Sequence, residues 1–411
     1  MTTNEAAPAS GAGERRKPVA LYLTRNLVTG GAERVFLNYV NHALDVSPVV
    51  ALLERRGGLV GELRDDVPCL SRLDRTAPPS LGAAIATEIP GESFARLALE
   101  CLWLRDAVTL SGADVVSSFL MRAHVVGLLT KLLLLSRVPL VLNIHEHMSE
   151  SAEFLYPAAR DRVMMQWITR HLFPRADRIV VVAEELKRDL VVEYGVPPEL
   201  IEVVYNPIDI ERIRAAAAQP LDPRWASPSG ARTIVAVGRL VYLKGYDLLL
   251  QAVAKVRKVR DVRLVLIGEG EERGELERLT ARLALQTVVT FAGEHANPWR
   301  LIGRSDALAL TSRTEAFPCA LTEAMALGIP VLATDCSAGV RDLLCDGACG
   351  LIVPSGDVDA IAAGIDRLLS DADLRATLTA AARARVAAFD LPKVRRRYES
   401  VLSGVMASRN T

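Results

Sequence analysis

Short apolar segments alternate with longer helical patterns along the first half of the chain. Six of these segments are rich in β-branched residues and lack a polar face: VALYLT, VVALLE, DVVSSFL, PLVLNI, RIVVVA and IEVVYN, between Val19 and Asn206. Strands that are apolar on both faces and separated by helices are typical of a parallel sheet covered on both sides. The pattern therefore predicts a doubly wound, Rossmann-like α/β domain over residues 19–206.

The same alternation resumes after a segment rich in Pro, Ser and Gly. QPLDPRWASPSGA, Gln219 to Ala231, is typical of a connector, and we place a linker at residues 207–231. TIVAVG, RLVLIG, TVVTFAG, ALALTS and PVLAT follow it and predict a second doubly wound domain over residues 232–390, facing the first across a cleft. A last helical segment, at residues 391–411, either caps the second domain or crosses back to the first.

Length and composition agree with two globular domains. The chain has 411 residues, more than one ordinary core holds. Lys plus Arg and Asp plus Glu each number 49, so the broad basic field of a protein that grips nucleic acid through phosphates is absent, and we expect no nucleic-acid partner. The six cysteines are scattered and indicate neither a disulfide framework nor a zinc site.

The N-terminal segment and the longest apolar segment predict the cellular compartment. Residues 1–18 are small, polar and charged and predict a disordered tail, and the run from Val19 to Leu23 is too short for a signal-peptide core. The longest apolar segment, Val125 to Ile144, is interrupted by Lys131, Arg137 and Pro139, whereas a membrane span needs about 20 apolar residues. We therefore expect a cytoplasmic protein.

Candidate chemistry begins with two glutamates in SRTEAFPCALTEAMALGIPVLATDCSAG. Glu315 falls in a predicted loop after the strand DALALTS, and Glu323 on a helix predicted over Cys319 to Leu327. Helix N-termini at the carboxyl ends of parallel strands bind anions, and carboxylates beside them accept hydrogen bonds from sugar hydroxyls. The segment predicts a sugar-nucleotide site; the alternative is a helix-dipole glutamate and a solvated loop charge.

Two cations stand at the end of another predicted strand. In VGRLVYLKGYDLLLQAV, Arg239 and Lys244 flank the turn between TIVAV and a helix that starts near Tyr246. Cations in that position would neutralise a diphosphate leaving group. A solvated basic turn is the alternative.

Three further motifs lie where predicted strands end. LVTGGAERVFLNYV places Gly30 and Gly31 before a helix, where backbone can approach a phosphate or an acceptor. LVLNIHEHMSE ends a buried strand with His145 and His147, and an isolated histidine there is either structural or close to the reacting group. IGEGEERGEL has the spacing GxGxxxG, which is not that of a dinucleotide-binding fingerprint.

Taken together, these segments resemble retaining glycosyltransferases of family 4. GRLVYLKGYDLLLQA, VLIGEGEERGEL, FAGEHANPWRLIGRSDALALTSRTEAFPCALTEAMALGIPVLATDCSAG and DGACGLIVPSGD follow the donor half of that family in order and spacing, including its Glu-x7-Glu motif. The resemblance implies the α/β GT-B fold of two Rossmann-like domains. The chain departs from the family pattern at Ala316, where glycine is frequent, and at GVRDLL, where Asp342 takes the acidic position of Gly-Pro-x-Glu.

The resemblance also implies roles for individual residues. Glu315 would contact the transferred sugar, Glu323 the ribose hydroxyls, and His145 the reacting sugar, while Arg239 and Lys244 would bind the donor diphosphate. Further donor contacts would come from the glycine pair, from a loop after the third strand of the second domain and from the start of the Glu323 helix: Gly31, Glu294, Phe317, Pro318, Cys319, Ala320 and Leu321. The loop IGEGEERGEL would border the nucleobase.

The implied reaction moves a hexose or N-acetylhexosamine from a nucleotide sugar to a glycan or polyprenyl-diphosphate-linked acceptor in cell-surface polysaccharide or lipopolysaccharide synthesis. UDP is the expected nucleotide, and GDP-mannose stays open. No Asp-x-Asp motif follows a strand, so neither metal nor cofactor is expected. Arg160 to Arg178 is either a peripheral face for the inner membrane surface or an ordinary packed helix. A UDP-sugar epimerase of the same fold and a non-catalytic sugar-nucleotide-binding protein are the alternatives from other classes.

Overall fold

The computed structural model describes residues 16–28, 30–72, 93–134, 137–149, 152, 156, 158–222, 225 and 230–408. Residues 1–15 of the predicted tail and six residues of the predicted linker lie outside these ranges. The described chain forms two parallel sheets, one in each half, with helices on both faces. Two doubly wound α/β domains are therefore present, as the alternation of apolar segments predicted.

The first sheet has the strand order β3-β2-β1-β4-β5-β6-β7, with every pair parallel. Its strands are β1 (Val19–Thr24), β2 (Ser47–Leu52), β3 (Cys69–Ser71), β4 (Val115–Phe119), β5 (Leu140–Ile144), β6 (Arg178–Val181) and β7 (Ile201–Val203). The helices around it are α1 (Gly31–Asn41), α2 (Ser93–Ser111), α3 (Met121–Leu133), α4 (Ala159–His171) and α5 (Glu184–Val192). The sequence did not predict β3, which is three residues long and only half-buried.

The second sheet has the order β10-β9-β8-β11-β12-β13, again all parallel. Its strands are β8 (Arg232–Val237), β9 (Val262–Ile267), β10 (Val289–Gly293), β11 (Ala307–Leu310), β12 (Val331–Asp335) and β13 (Leu351–Pro354). The remaining helices, after α6 (Ile210–Ala218) in the connection, are α7 (Tyr246–Val256), α8 (Arg273–Arg282), α9 (Trp299–Ile302), α10 (Cys319–Leu327), α11 (Ala338–Leu343), α12 (Val358–Ser370), α13 (Ala372–Val386) and α14 (Leu391–Ala407).

The central strand β1 shows why these segments form buried parallel strands. All six of its residues are buried. Because successive side chains of a strand point to opposite faces, Leu21 and Leu23 join the hydrophobic cluster on one face, while Ala20 and Tyr22 join the cluster on the other. A polar side chain on either face would lack water and, without a partner, would destabilise the sheet.

The connection between the domains contains a helix that the linker prediction did not include. Helix α6 begins after Asp209, whose side chain accepts a hydrogen bond from the Arg212 amide at 2.9 Å. Its apolar residues Ile210 and Ile213 are buried. The helix packs against α9 and α10 of the second domain. The connection is therefore part of the packed structure up to the end of α6.

The last helix, α14, crosses back to the first domain. Tyr398 is fully buried, stacks on Tyr39 with ring centroids 3.9 Å apart and shares a hydrogen bond of 2.5 Å with the Ser117 hydroxyl of β4. The Glu399 carboxylate accepts hydrogen bonds from the Leu44 and Asp45 amides at 2.7 and 3.1 Å. Of the two alternatives for this segment, the structure shows the crossing.

Candidate active site

A cleft of about 1360 Å³ lies between the two domains. It is lined by loops that follow the carboxyl ends of strands in both sheets, which is where open α/β sheets bind ligands. Gly30, Gly31 and His145 line it from the first domain. The residues predicted from the second domain that line it are Arg239, Lys244, Glu294, Glu315, Phe317, Pro318, Cys319, Ala320 and Glu323.

The Lys244 ammonium and the Glu315 carboxylate meet in the cleft. Lys244 Nζ lies 2.5 Å from Glu315 Oε1, and the Ser312 hydroxyl donates to the same oxygen at 2.7 Å. The two residues come from the loops after β8 and β11, which are neighbouring strands. The Lys244 side chain is 25% exposed and that of Glu315 is 10% exposed, so the pair is partly shielded from water, where its attraction is stronger than at an open surface.

A glycine allows the Lys244 turn to pack against β11. Residues Tyr242–Lys244 form a single 3-10 turn, and Gly245 then adopts the left-handed conformation with φ of 61°. A Cβ atom at this position would lie 2.1 Å from the Thr311 carbonyl oxygen. Any other residue would therefore push the turn away from β11 and separate Lys244 from Glu315.

Arg239 stands on the opposite side of the same turn and faces the first domain. Its side chain is exposed and lines the cleft. Burial raises the pKa of the Glu33 carboxyl in α1, and the positive charge of Arg239 partly opposes that shift. Glu33, three residues after Gly30, was not among the residues predicted from the sequence. Arg239 belongs to the second domain, and its charge thus acts on a carboxyl group of the first domain.

The start of helix α10 forms the floor of the site. Phe317 packs its ring on Tyr205 and Phe389, with centroids 5.8 and 5.4 Å away, which fixes the loop before the helix. The Cys319 sulfur would lie 3.9 Å from a Cβ atom added to Gly31. The N-termini of α1 and α10 therefore face each other across a short gap, and both carry the partial positive charge of a helix start.

Leu321 is a correction to the predicted donor contacts. Its side chain is fully buried in the hydrophobic core, and it does not line the cleft. Its amide donates a hydrogen bond to the Pro318 carbonyl at 3.0 Å. Because the first turn of the helix already uses this N–H as a donor, we expect the backbone N–H groups that could bind an anion to be those before Leu321.

Glu323 has an unusual environment for a carboxyl group. Burial raises its pKa to about 7, and the Trp299 indole N–H and the Arg34 guanidinium partly oppose the shift. Arg34 belongs to α1 of the first domain, and Trp299 begins α9. Neither was predicted from the sequence, because each becomes a neighbour of Glu323 only through packing between elements distant along the chain.

His145 and His147 have different surroundings. His145 lines the cleft and stacks on Phe119, with ring centroids 5.6 Å apart. Burial lowers the pKa of His145 to about 4, so its imidazole is neutral at physiological pH. Neither of its ring nitrogens has a hydrogen-bond partner in the described chain. His147 lies outside the lining, with Nδ1 3.5 Å from Asp189 Oδ2, as a structural histidine does.

The glycines of IGEGEERGEL place a loop against the Arg239 turn. Gly268 has φ of 144°, and a Cβ atom on it would lie 2.0 Å from the Gly238 carbonyl oxygen. A Cβ atom on Gly270 would lie 2.3 Å from the Leu240 carbonyl oxygen. Both glycines line the cleft, as does Glu294. The close backbone contact accounts for the spacing that differs from a dinucleotide fingerprint.

Asp342, which takes the acidic position of GVRDLL, lies outside the cleft lining. It accepts a hydrogen bond from the Tyr205 hydroxyl at 2.8 Å and pairs with Arg385 at 3.1 Å. These contacts join the loop after β7 to the second domain. Asp342 therefore acts at the domain junction in this structure. Within the described ranges, no group of three or more His, Cys, Asp or Glu side chains is arranged to hold a metal ion.

Two family models match the chain, one in each half. The model described as Glycosyltransferase Family 4 matches residues 29–212, and the model described as Glycosyl transferases group 1 matches residues 219–385. Together they cover most of both domains.

Each half of the chain therefore matches a glycosyltransferase family model. The predicted GT-B fold is confirmed by solved structures: the crystal structure of Anabaena HepE in complex with UDP and glucose superimposes with a TM-score of 0.75 and 22% identity, over 94% of this chain and 100% of that one.

Curated relatives match shorter stretches. An N-acetylgalactosamine-N,N'-diacetylbacillosaminyl-diphospho-undecaprenol 4-alpha-N-acetylgalactosaminyltransferase of Campylobacter jejuni is 32% identical over 225 residues, 55% of this chain and 60% of the relative. The lipopolysaccharide core biosynthesis glycosyltransferase LpsE of Rhizobium meliloti is 32% identical over 178 residues, 43% of this chain and 50% of the relative. The chain thus spans less than two thirds of the length of either relative.

Proposed function

We propose that this GT-B protein is a retaining glycosyltransferase that moves a hexose or N-acetylhexosamine from a UDP-sugar to a glycan or polyprenyl-diphosphate-linked acceptor. The observation that carries the proposal is the contact between Lys244 and Glu315 beside the N-terminus of α10. In one cleft, the ammonium would serve the leaving group, the carboxylate the sugar and the helix amides the phosphate. An epimerase would need no acceptor, and a binding protein would need no charge directed at a breaking bond.

The diphosphate of the donor would lie between Arg239, Lys244 and the start of α10. As the bond from the anomeric carbon to the phosphate oxygen breaks, negative charge grows on the departing UDP. Preorganised cations and helix amides stabilise that charge more than they stabilise the intact donor, and such differential stabilisation speeds the reaction. Arg239 and Lys244 thus supply the positive charge that a divalent metal supplies in other enzymes, and we propose metal-independent turnover.

Glu323 would hold the ribose. An ionised carboxylate accepts hydrogen bonds from two neighbouring hydroxyls, whereas a protonated carboxyl has less acceptor capacity. Because burial raises the pKa of Glu323 to about 7, donor affinity should fall as pH drops below that value. UDP as the nucleotide is supported by the HepE structure, which is a complex with UDP and glucose.

Glu315 and His145 would flank the transferred sugar from the two domains. Glu315 is held by Lys244 and Ser312, which leaves its second oxygen for sugar hydroxyls. A neutral His145 offers one ring donor and one ring acceptor. In the proposed front-face reaction the acceptor hydroxyl attacks the anomeric carbon on the side that UDP leaves, and the departing phosphate oxygen takes the hydroxyl proton.

The first experiment compares nucleotides. Thermal-shift and calorimetric titrations with UDP, GDP and UDP-sugars should show UDP binding, with a stabilisation of about 2.7 kcal/mol at 100 times the dissociation constant. NMR of the product formed on an acceptor should then show the anomeric configuration of the donor. An inverted product would contradict the retaining assignment, and isomerised UDP-sugar formed without an acceptor would indicate the epimerase.

The acceptor class is supported by relatives whose names specify a diphospho-undecaprenol substrate and lipopolysaccharide core biosynthesis. A lipid-linked acceptor would be met at a membrane surface, and we propose that helix α4 contacts it. Val163 and Trp167, four residues apart on α4, are 65% and 55% exposed, while Met165 and Ile168 are buried in the core. Arg160 and Arg170 are exposed on the same helix.

Vesicle sedimentation tests this contact. Wild-type protein should bind vesicles that contain anionic lipid more than purely zwitterionic ones. Trp167→Ser should reduce that binding severalfold, because it removes the exposed aromatic side chain that would enter the membrane interface. Val259→Ser, at an exposed apolar residue of the second domain, is the matched control and should bind as wild type does. Equal binding of Trp167→Ser and wild type would remove α4 from the proposal. In the described part of the chain no helix is long and apolar enough to cross a membrane.

A further inference from the structure

Leu120 lies in the turn that joins β4 to α3, and its backbone conformation is unusual. Its φ is 68° and its ψ is 152°. A Cβ atom strongly disfavours this conformation, whereas glycine adopts it readily. From the sequence, Leu120 was expected at the end of the strand DVVSSFL, but β4 ends at Phe119 and the turn follows it. The chain therefore has a leucine where glycine would be less strained.

The strain at Leu120 is not offset by a place in the hydrophobic core. Phe119 on one side is 1% exposed and Met121 on the other is 6% exposed, and both belong to hydrophobic clusters. Leu120 is only half-buried and belongs to none of the clusters that the described residues form. It lines the cleft between the domains instead. Because strained residues concentrate at ligand sites, this arrangement points to a role of the side chain in binding.

Buried hydrogen bonds hold the turn in this conformation. The Leu120 carbonyl accepts a hydrogen bond from the His124 amide at 3.1 Å, in the first turn of α3. The Ser118 hydroxyl shares a hydrogen bond of 2.8 Å with His124 Nδ1, and the Ser118 carbonyl accepts one from Asn143 Nδ2 at 3.0 Å. Ser118, His124 and Asn143 are all buried. Because the turn is tied to both α3 and β5, relaxation of Leu120 to negative φ would disturb buried hydrogen bonds.

His145 lies at the end of the neighbouring strand. Phe119 of β4 pairs with Asn143 of β5, so Leu120 and His145 follow within two residues of the same strand pair. Both of them line the cleft. The His145 ring stacks on the Phe119 ring, and neither of its nitrogens has a hydrogen-bond partner in the described chain. This part of the cleft therefore combines an apolar side chain with a neutral polar one.

A sugar ring matches that combination. Its hydroxyls form hydrogen bonds, while its C–H groups make an apolar face. A half-buried leucine stabilises such a face by removing it from water, and ligand pockets typically join apolar walls to a few well-placed polar groups. A phosphate group, by contrast, has no apolar surface for a leucine to cover.

We propose that Leu120 contacts the C–H face of the transferred sugar beside His145, and that its strained turn keeps the side chain in the cleft. The inference rests on the proposed function, because that function places the transferred sugar between Glu315 and His145. Leu120 then contributes to the affinity for the sugar and not to the affinity for the nucleotide. A substitution of Leu120 should separate these two affinities.

Calorimetry with UDP, UDP-glucose and UDP-N-acetylglucosamine tests the contact. Leu120→Ala should weaken UDP-sugar binding at least about fourfold, the effect of one buried CH₂ group, while the affinity for UDP is unchanged. Leu120→Met keeps an apolar side chain of similar volume and should bind UDP-sugars more tightly than Leu120→Ala does. Unchanged UDP-sugar binding in Leu120→Ala, or an equal loss for UDP, would overturn the proposal.

Thermal unfolding tests the strain. In helices and strands glycine is less stabilising than alanine. At this turn the order should be reversed: Leu120→Gly should melt several degrees above Leu120→Ala, because it lacks the Cβ atom that disfavours the turn. It should bind UDP-sugars no more tightly than Leu120→Ala does. If Leu120→Gly melts below Leu120→Ala, the turn is not strained and the proposal is wrong.

Ala284→Gly is the matched control. Ala284 also has positive φ, 54°, but it is exposed and lies outside the cleft lining. Glycine should raise the melting temperature here as well, because the same kind of strain is removed, while UDP-sugar affinity stays as in wild type. A change in UDP-sugar affinity in Ala284→Gly would show that relief of strain alone alters binding, which would overturn the role of the Leu120 side chain.

The same titrations separate this inference from the proposed function. If UDP-sugars bind equally to wild type and Leu120→Ala, the proposed function stands and the sugar contact of Leu120 is wrong. If wild type binds no UDP, the proposed donor is wrong, and the comparison of GDP with GDP-mannose tests Leu120 in its place. If none of these nucleotides and nucleotide sugars binds, both proposals are overturned.

Discussion

The two walls of the cleft rest on sheets with the same arrangement at their centres. Each domain places its first strand in the middle, with the second and third strands on one side and the fourth and fifth on the other. The second-domain wall matches its charges closely, since Lys244 pairs with Glu315. The first domain instead groups four arginines around two glutamates, Glu54 and Glu100: Arg25, Arg72, Arg96 and Arg122.

This difference separates what the sheet provides from what the loops provide. The sheet brings strand ends together at one edge in both domains, but it does not choose the side chains that follow them. In the second domain, the charged residues of the cleft, such as Arg239, Lys244 and Glu315, come from compact motifs. In the first domain, the arginines that contact Glu54 and Glu100 come from strand ends and from α2, over almost a hundred positions. Equal architecture therefore supports two walls with different charged side chains.

The largest expected effect tests whether the second-domain wall carries the chemistry. Lys244→Ala should lower single-turnover rates with saturating donor by at least about 10²-fold, because it removes a preorganised cation from the leaving group, while most UDP-sugar affinity remains. Lys255→Ala, on the exposed face of α7, is the matched control. The double variant with Arg239→Ala should lose less than the product of the single losses, since both cations serve one charge. Unchanged turnover in Lys244→Ala would place this lysine outside the reaction.

A smaller effect should appear in the pH dependence of stability, to which Glu323 of the second-domain wall contributes. The pKa of Glu323 is raised from 4.5 to about 7 in the folded protein, so its contribution to stability is fully present below pH 4.5 and is lost as pH rises through 7. The loss amounts to about 3 kcal/mol at most. Urea unfolding between pH 4 and 8 should show a shallower decline for Glu323→Gln than for wild type. Glu294→Gln, at an exposed cleft residue, should leave the decline unchanged; parallel curves for Glu323→Gln and wild type would contradict the assignment.

The next effect concerns the dependence of the first domain on the end of the chain. Glu399→Ala removes the acceptor of two amides, those of Leu44 and Asp45, and should cost about 2 kcal/mol of stability because both donors lose their partner. Hydrogen exchange of these two amides should speed up while UDP affinity stays constant. Glu202→Ala, which removes only an exposed contact with Arg397, should cost less than about 1 kcal/mol. A loss of UDP affinity in Glu399→Ala would show that the walls are not independent.

The smallest expected effect is none. If Arg239 and Lys244 supply the positive charge for the leaving group, turnover in excess EDTA should equal turnover in its absence. The measurement is an initial rate with and without chelator, followed by addition of Mg²⁺ or Mn²⁺. Activity that disappears with EDTA and returns with the ion would show that the two cations are insufficient and that the second wall needs a metal.

Local sequence patterns determined much of this molecule. The apolar segments predicted every strand of the first sheet except β3. Glu315 and Lys244 were both predicted to follow strands at the edge of one sheet, and the structure brings them into contact at 2.5 Å. Such predictions succeed because burial on both faces, glycine stops and strand ends are properties of a few consecutive residues. Leu321 shows the limit: it stands in the correct motif, but the first helical turn uses its amide and the core takes its side chain.

Tertiary structure alone decided which distant residues became neighbours. Helix α14 could have capped either domain, and the fit of Tyr398 against Tyr39 and Ser117 is what places it on the first. Burial raises the pKa of Glu323, and Trp299 and Arg34, which packing brings beside it, partly oppose that rise. Arg72 and Arg122 meet at Glu100 because the strands that they follow, β3 and β4, end at the same edge of the sheet. The sequence by itself determined the elements and the motifs that follow the strands. Packing determined which charged groups meet and the pKa of Glu323, because electrostatic energy depends on distances and burial that no short stretch of sequence specifies.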